Sequence, residues 1–224
     1  MSQAHGRGRF ITLEGGEGTG KSTQAARLVA ALAQRGVDAI ATREPGGSPR
    51  AEEIRAVILS GSAERLAPVA EALLFAAARA DHVEKTIRPA LERGTWVVCD
   101  RFADSTRAYQ GALGGLDDDT LGALERIAVG DARPDLTLVL DLPAAVGLAR
   151  ASRRRGTGEV DRFEQESLAF HERLRQAFLH IAHRDPQRCA VVDASLDPDA
   201  VTASLMCVVD ARLVAPHKAR ERAS

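Results

Sequence analysis

The chain has 224 residues, and its 30 lysines and arginines against 31 aspartates and glutamates leave a formal net charge of -1. That balance excludes bulk electrostatic binding to nucleic acid or an anionic membrane, and no stretch approaches the 18 apolar residues of a membrane-spanning helix. The length suits one large α/β domain spanning residues 1–224; Cys99, Cys189 and Cys207 lack C-x-x-C spacing and read as buried thiols of a reducing compartment.

The polar segment from Met1 to Arg9 carries no signal-peptide run, so a cytoplasmic location is expected. Apolar, β-prone runs then predict strands at Phe10–Glu14, Asp38–Thr42, Thr95–Asp100, Leu136–Asp141 and Cys189–Asp193. Helical spacing predicts helices over Lys21–Arg35, Arg50–Ser60, Ala67–Arg93, Leu116–Ala128, Ala144–Arg153, Asp161–His183 and Pro198–Leu213. Strands separated by helical crossovers imply a five-stranded parallel sheet with helices on both faces, a three-layer α/β/α domain. The charged stretch from Ala215 to Ser224 reads as a frayed tail.

Between the first strand and the first helix lies Gly15-Gly16-Glu17-Gly18-Thr19-Gly20-Lys21-Ser22, a full G-x-x-x-x-G-K-[ST] phosphate-binding loop. Its glycines turn backbone N–H groups toward a polyphosphate, and the helix beginning at Lys21 and running through Ser22 and Thr23 adds its positive dipole end. Lys21 has the reach of the β- and γ-phosphates of a nucleoside triphosphate, and Ser22 can ligate Mg²⁺. The strand ending Val98-Cys99-Asp100-Arg101 places a carboxylate and a guanidinium where α/β sheets bind ligands: Asp100 suits a hydrated Mg²⁺ and Arg101 a phosphate. A plain strand-end ion pair is the competing reading.

Residues 151–162 gather Arg153, Arg154 and Arg155 beside Gly156 and Gly158 between two helical patterns. Such a run fits a lid over about 150–162 that closes arginines over a triphosphate; a solvated charge run is the bland alternative. Phe75 and Arg79 stand at i and i+4 on one helix face, suited to a planar base or to a core Phe beside a surface Arg. Asp104 to Gly111 holds Ser105, Thr106, Tyr109 and Gln110, donors and acceptors that also fit a capped short helix.

Taken together, FITLEGGEGTGKST (10–23), TREPGG (42–47), LLFAAARADH (73–82), DRFADSTRAYQG (100–111) and RGTGEVDRFEQE (155–166) resemble the thymidylate kinases, in that family's order and over nearly the whole chain. The resemblance implies phosphorylation of dTMP to dTDP by Mg·ATP, with partners limited to ATP and dTMP and a homodimeric assembly. It implies that Arg43 and Arg101 bind the acceptor phosphate and that Glu17 lies near the dTMP sugar and phosphate. Phe75 would stack on thymine and Arg79 would bond its O4 edge. Ser105, Thr106 and Gln110 would belong to the same pocket, and Tyr109 would pack on the deoxyribose. No cation stands between Gly16 and Gly20, so charge on the transferred group falls to Lys21, Arg101 and the lid arginines, as in bacterial-type members. Which of Arg153, Arg154 and Arg155 touches that group is open in the sequence. A kinase for another nucleotide or nucleoside is the nearest rival. A regulatory nucleotide switch would want an N-K-x-D motif, which is missing.

Overall fold

The computed structural model describes residues 6–60, 66–155, 163 and 165–214. Five strands, β1 (Phe10–Glu14), β2 (Ala39–Arg43), β3 (Trp96–Asp100), β4 (Leu136–Asp141) and β5 (Cys189–Asp193), form one wholly parallel sheet in the order β2-β3-β1-β4-β5. β1 and β4 are buried on both faces because both faces are covered, whereas the edge strands β2 and β5 are partly exposed. The predicted fold is the observed one, and strand boundaries shift by at most a residue.

The helices are α1 (Lys21–Ala33), α2 (Pro49–Leu59), α3 (Pro68–His82), α4 (Arg88–Glu92), α5 (Ala103–Thr106), α6 (Asp118–Val129), α7 (Ala144–Arg155), α8 (Leu168–Arg184) and α9 (Pro198–Val209). On one face of the sheet, Ile11, Leu13, Val98 and Leu138 pack with Leu28 and Leu32 of α1 and Val201, Leu205 and Val209 of α9. The other face buries Phe10, Val97, Cys99 and Phe102 with Val83, Ile87 and Leu91, and Val139 with Leu174 and Phe178 of α8.

Three helical predictions need correction. The long helix over Ala67–Arg93 is interrupted by a wide π-helical turn at Val83–Ile87 before α4, a local widening that a 3.6-residue pattern cannot signal. The helix predicted from Asp161 starts at Leu168 because Ser167 caps it, its Oγ accepting the Phe170 N–H at 3.2 Å. The last helix is α-helical only to Val209 and continues as a π turn over Asp210–Val214. The tail from 215 and the lid tip at 156–162 lie outside the described residues.

Candidate active site

Parallel register brings the carboxyl ends of β1, β2 and β3 level: Arg43 pairs with Asp100, and Asp100 with Leu13. Glu14, Arg43, Asp100 and Arg101 therefore surround one crevice. The phosphate loop leaves β1 through Gly15, Gly18 and Gly20 at φ 137°, 67° and 90°, backbone that side-chain-bearing residues rarely adopt. Lys21 is buried, its Nζ donating to the Gly15 and Gly16 carbonyls at 3.0 and 2.7 Å. Burial, then the nearby Arg101 charge, lowers its pKa to about 8. Ser22 Oγ donates to Asp100 Oδ2. This hydroxyl–carboxylate pair of hard oxygens fits Mg²⁺, which keeps several waters and takes further oxygens from phosphates. No cluster of three or more His, Cys, Asp or Glu side chains suited to a metal exists among the described residues.

Arg101 is held at φ 69°, an uncommon conformation for a non-glycine residue and a local strain of the kind found at functional sites. Its Nη2 pairs with Glu17 Oε1, Nη1 donates to the Gly15 carbonyl at 3.2 Å and Ser105 Oγ at 3.3 Å, and its guanidinium lies 5.4 Å from the Tyr109 ring centroid. Burial disfavours charge on Glu17, but Arg101, Lys21 and the Tyr109 hydroxyl (3.3 Å) outweigh it and hold the pKa at about 2. Burial raises the Tyr109 hydroxyl's pKa.

A cavity of about 300 Å³ joins both halves of the expected site. It is lined by Glu17, Gly18, Gly20, Lys21 and Ser22 from the loop, by Asp100, Arg101, Ser105, Thr106 and Tyr109, and by Arg43, Phe75, Arg79 and Arg154. Phe75 of α3 is half-buried and belongs to none of the three core clusters. Arg43 reaches the cavity from the end of β2 while pairing with Glu52 at 3.1 Å. Arg79 is far from the surface cation that a bare i, i+4 reading allowed. Its Nε donates to Glu44 Oε2 at 2.7 Å and its Nη2 to the Phe102 carbonyl and Thr106 Oγ1, both at 3.1 Å.

Some expected residues stand apart. Gly15, Gly16 and Thr19 shape the loop without lining the cavity, and Thr23 is exposed on α1. Gln110 is buried and lines an adjoining cavity that shares Tyr109 and Phe163 with the first. Arg154 reaches the main cavity; Arg153 is exposed and turns its Nε back to the Ala149 carbonyl at 3.3 Å. The Arg155 side chain lies outside the description.

Two acidic residues had no assigned role in the sequence. Glu44, buried in the TREPGG turn, accepts from Arg79 and from His82 Nδ1 at 3.1 Å, so it fixes the Arg79 guanidinium. Glu14, fully buried at the end of β1, accepts the Phe102 and Ser105 N–H groups at 2.7 and 3.3 Å and the Ser105 hydroxyl at 2.7 Å. It thereby ties the segment after Arg101 to the strand that launches the phosphate loop. Burial, with Asp104 nearby, raises its pKa to about 7. An acidic residue closing an apolar strand was the available signal: such a group is buried only when partnered.

Comparison with known proteins gives a consistent result. The family model described as thymidylate kinase matches residues 13–205. A thymidylate kinase of Bradyrhizobium diazoefficiens is 53% identical over 214 residues, covering 96% of this chain and 94% of that protein. That of Nitrobacter winogradskyi is 58% identical over 206 residues, covering 92% and 90%. The crystal structure of thymidylate kinase from Ehrlichia chaffeensis superposes with a TM-score of 0.72 at 32% identity, covering 91% of this chain and 99% of that one. With the phosphate loop, the Asp100–Arg101 pair and the aromatic-lined cavity in one crevice, this chain belongs to the thymidylate kinase family.

Proposed function

We infer that the chain transfers the γ-phosphoryl group of ATP to dTMP, giving ADP and dTDP. The observation carrying this reading is the single cavity lined by phosphate-loop residues and by the acceptor set Arg43, Phe75, Arg79, Arg101, Thr106 and Tyr109. The acceptor phosphate is already anionic, so no strong general base is needed and catalysis rests on in-line positioning and charge neutralisation. Lys21 exchanges its loop carbonyls for the β- and γ-phosphates, Arg43 and Arg101 hold the acceptor phosphate, and Arg154 adds positive charge from α7. Ser22 and Asp100 would hold Mg²⁺, which would neutralise charge on the ATP phosphates. Phe75 offers a face for the thymine ring, and the Arg79–Thr106 arrangement offers donors whose loss of a partner penalises the wrong base. Glu17 keeps Arg101 and Tyr109 in register beside the sugar.

Residues 1–224 act as one catalytic domain, in the cytoplasm, a location that suits three unbridged thiols. A homodimer is favoured by exposed Val57, Val69, Leu73 and Ile127 on α2, α3 and α6, where α3 packs against both of the others, and sedimentation of the purified chain tests it. Activity is tested by coupled ADP release with Mg·ATP and dTMP, dUMP, UMP, CMP, AMP or GMP. Strong preference for dTMP supports the reading, preference for another monophosphate overturns the acceptor assignment, and acceptor-independent release overturns the kinase.

A further inference from the structure

The fourth residue of α7 is a buried glycine, Gly147, at a position where alanine would make a better helix. Its surroundings explain the choice. A Cβ built on Gly147 would lie 2.2 Å from the Glu17 carbonyl oxygen. A Cβ on Gly18 would lie 1.9 Å from the Gly147 carbonyl oxygen and 2.9 Å from its Cα. Both obstacles are backbone, so no side chain can swing aside. Nor can the loop retreat easily, because the Glu17 side chain is held by Arg101 and Tyr109. The helix that carries the lid arginines thus rests main chain against main chain on the phosphate loop.

Helix geometry converts this contact into a choice among arginines. At 3.6 residues per turn, Arg154 lies two turns beyond Gly147, within about 20° of the same face, whereas Arg153 lies roughly 120° away. Ala151, one turn beyond Gly147, is buried, as a docked face requires. Both arginines are exposed, but Arg154 lines the cavity, whereas Arg153 does not and directs its Nε to the Ala149 carbonyl of its own helix.

We propose that Gly147 is a positioning residue: its contact with Gly18 docks α7 on the phosphate loop and fixes the helix phase at which Arg154, and not Arg153, faces the transferring phosphoryl group. The proposal rests on the kinase reading above and deepens it. Gly147→Ala lowers kcat at least about tenfold while KM for dTMP stays within roughly twofold, because the base pocket is built on α3 and α5. Arg154→Met lowers kcat at least about tenfold, and Arg153→Met no more than about threefold. Acting through one route, the Gly147→Ala/Arg154→Met double variant is within about twofold of the slower single variant.

Steady-state kinetics of the four variants beside wild type, with thermal melts, decide the matter. If the dock were absent in solution, Gly147→Ala would raise Tm by about 2–4 °C through helix propensity and leave kcat intact; that result overturns the proposal. So does an Arg153→Met loss equal to that of Arg154→Met, a comparison that stands even if Gly147→Ala fails to fold. A wild-type chain inactive on every monophosphate fails the kinase reading first, and this assignment with it.

Discussion

Arg79 and Glu44 form an ion pair in which both side chains are 4% exposed, and Arg79→Met is the substitution that tests what it does. Methionine keeps comparable length but deletes the Nε bond to Glu44 and both Nη2 bonds, to the Phe102 carbonyl and Thr106. The Glu44 carboxylate would remain buried, with the His82 contact as its surviving side-chain partner. Removing one member of such a pair costs about 3–5 kcal/mol, chiefly because the other charge stays desolvated. For a chain of this size that is a fall in Tm of roughly 6–20 °C. Urea or thermal unfolding measures it. Neutralising the orphan in the Arg79→Met/Glu44→Gln double variant should recover at least about 1 kcal/mol, because the two side chains share one interaction. Strict additivity, or a single-variant loss below about 1 kcal/mol, would refute the claim that this arginine is held by Glu44 before it meets any substrate. The dTMP KM should rise in both variants, since Arg79 lines the cavity.

Lys21→Ala should lower kcat by roughly a hundred- to thousandfold, about 3–4 kcal/mol, with an unchanged circular dichroism spectrum; wild-type turnover in the folded variant would sink the mechanism. Phe75→Ala should raise KM for dTMP and leave that for ATP nearly unmoved, whereas equal weakening of both would assign Phe75 to the core. Glu14 gives a pH signature. Its folded pKa of about 7 exceeds the ordinary 4.5, so the native state holds the proton more tightly and stability declines as pH rises from 4.5 to 7. The group's share of that decline is about 3 kcal/mol, and Glu14→Gln should abolish it; equal slopes in urea unfolding between pH 5 and 8 would rule the mechanism out. Glu17 works in the opposite window: held at about 2, it stabilises above pH 4.5 and loses that contribution as pH falls toward 2.

The phosphate loop, the strands and the fold class were legible because each depends on contiguous residues: glycines at fixed offsets, an apolar run before them, and helical spacing after. The Asp100–Arg101 pair was legible because it closes a strand, and parallel sheets bind ligands at that end. Tertiary structure decided what depends on distant partners. Spacing alone left Arg79 between a base-pocket donor and a surface cation until the Glu44 turn buried it, and Glu14 looked like an ordinary strand residue until the segment after Arg101 supplied its donors. The proposed choice of Arg154 over Arg153 rests on where α7 meets Gly18, a contact between residues far apart in the chain. Local pattern sets which backbone a segment adopts, because propensity and periodicity act over a few residues. Burial and charge pairing are properties of the assembled interior, and only there does a side chain acquire its partner, its protonation state and its direction.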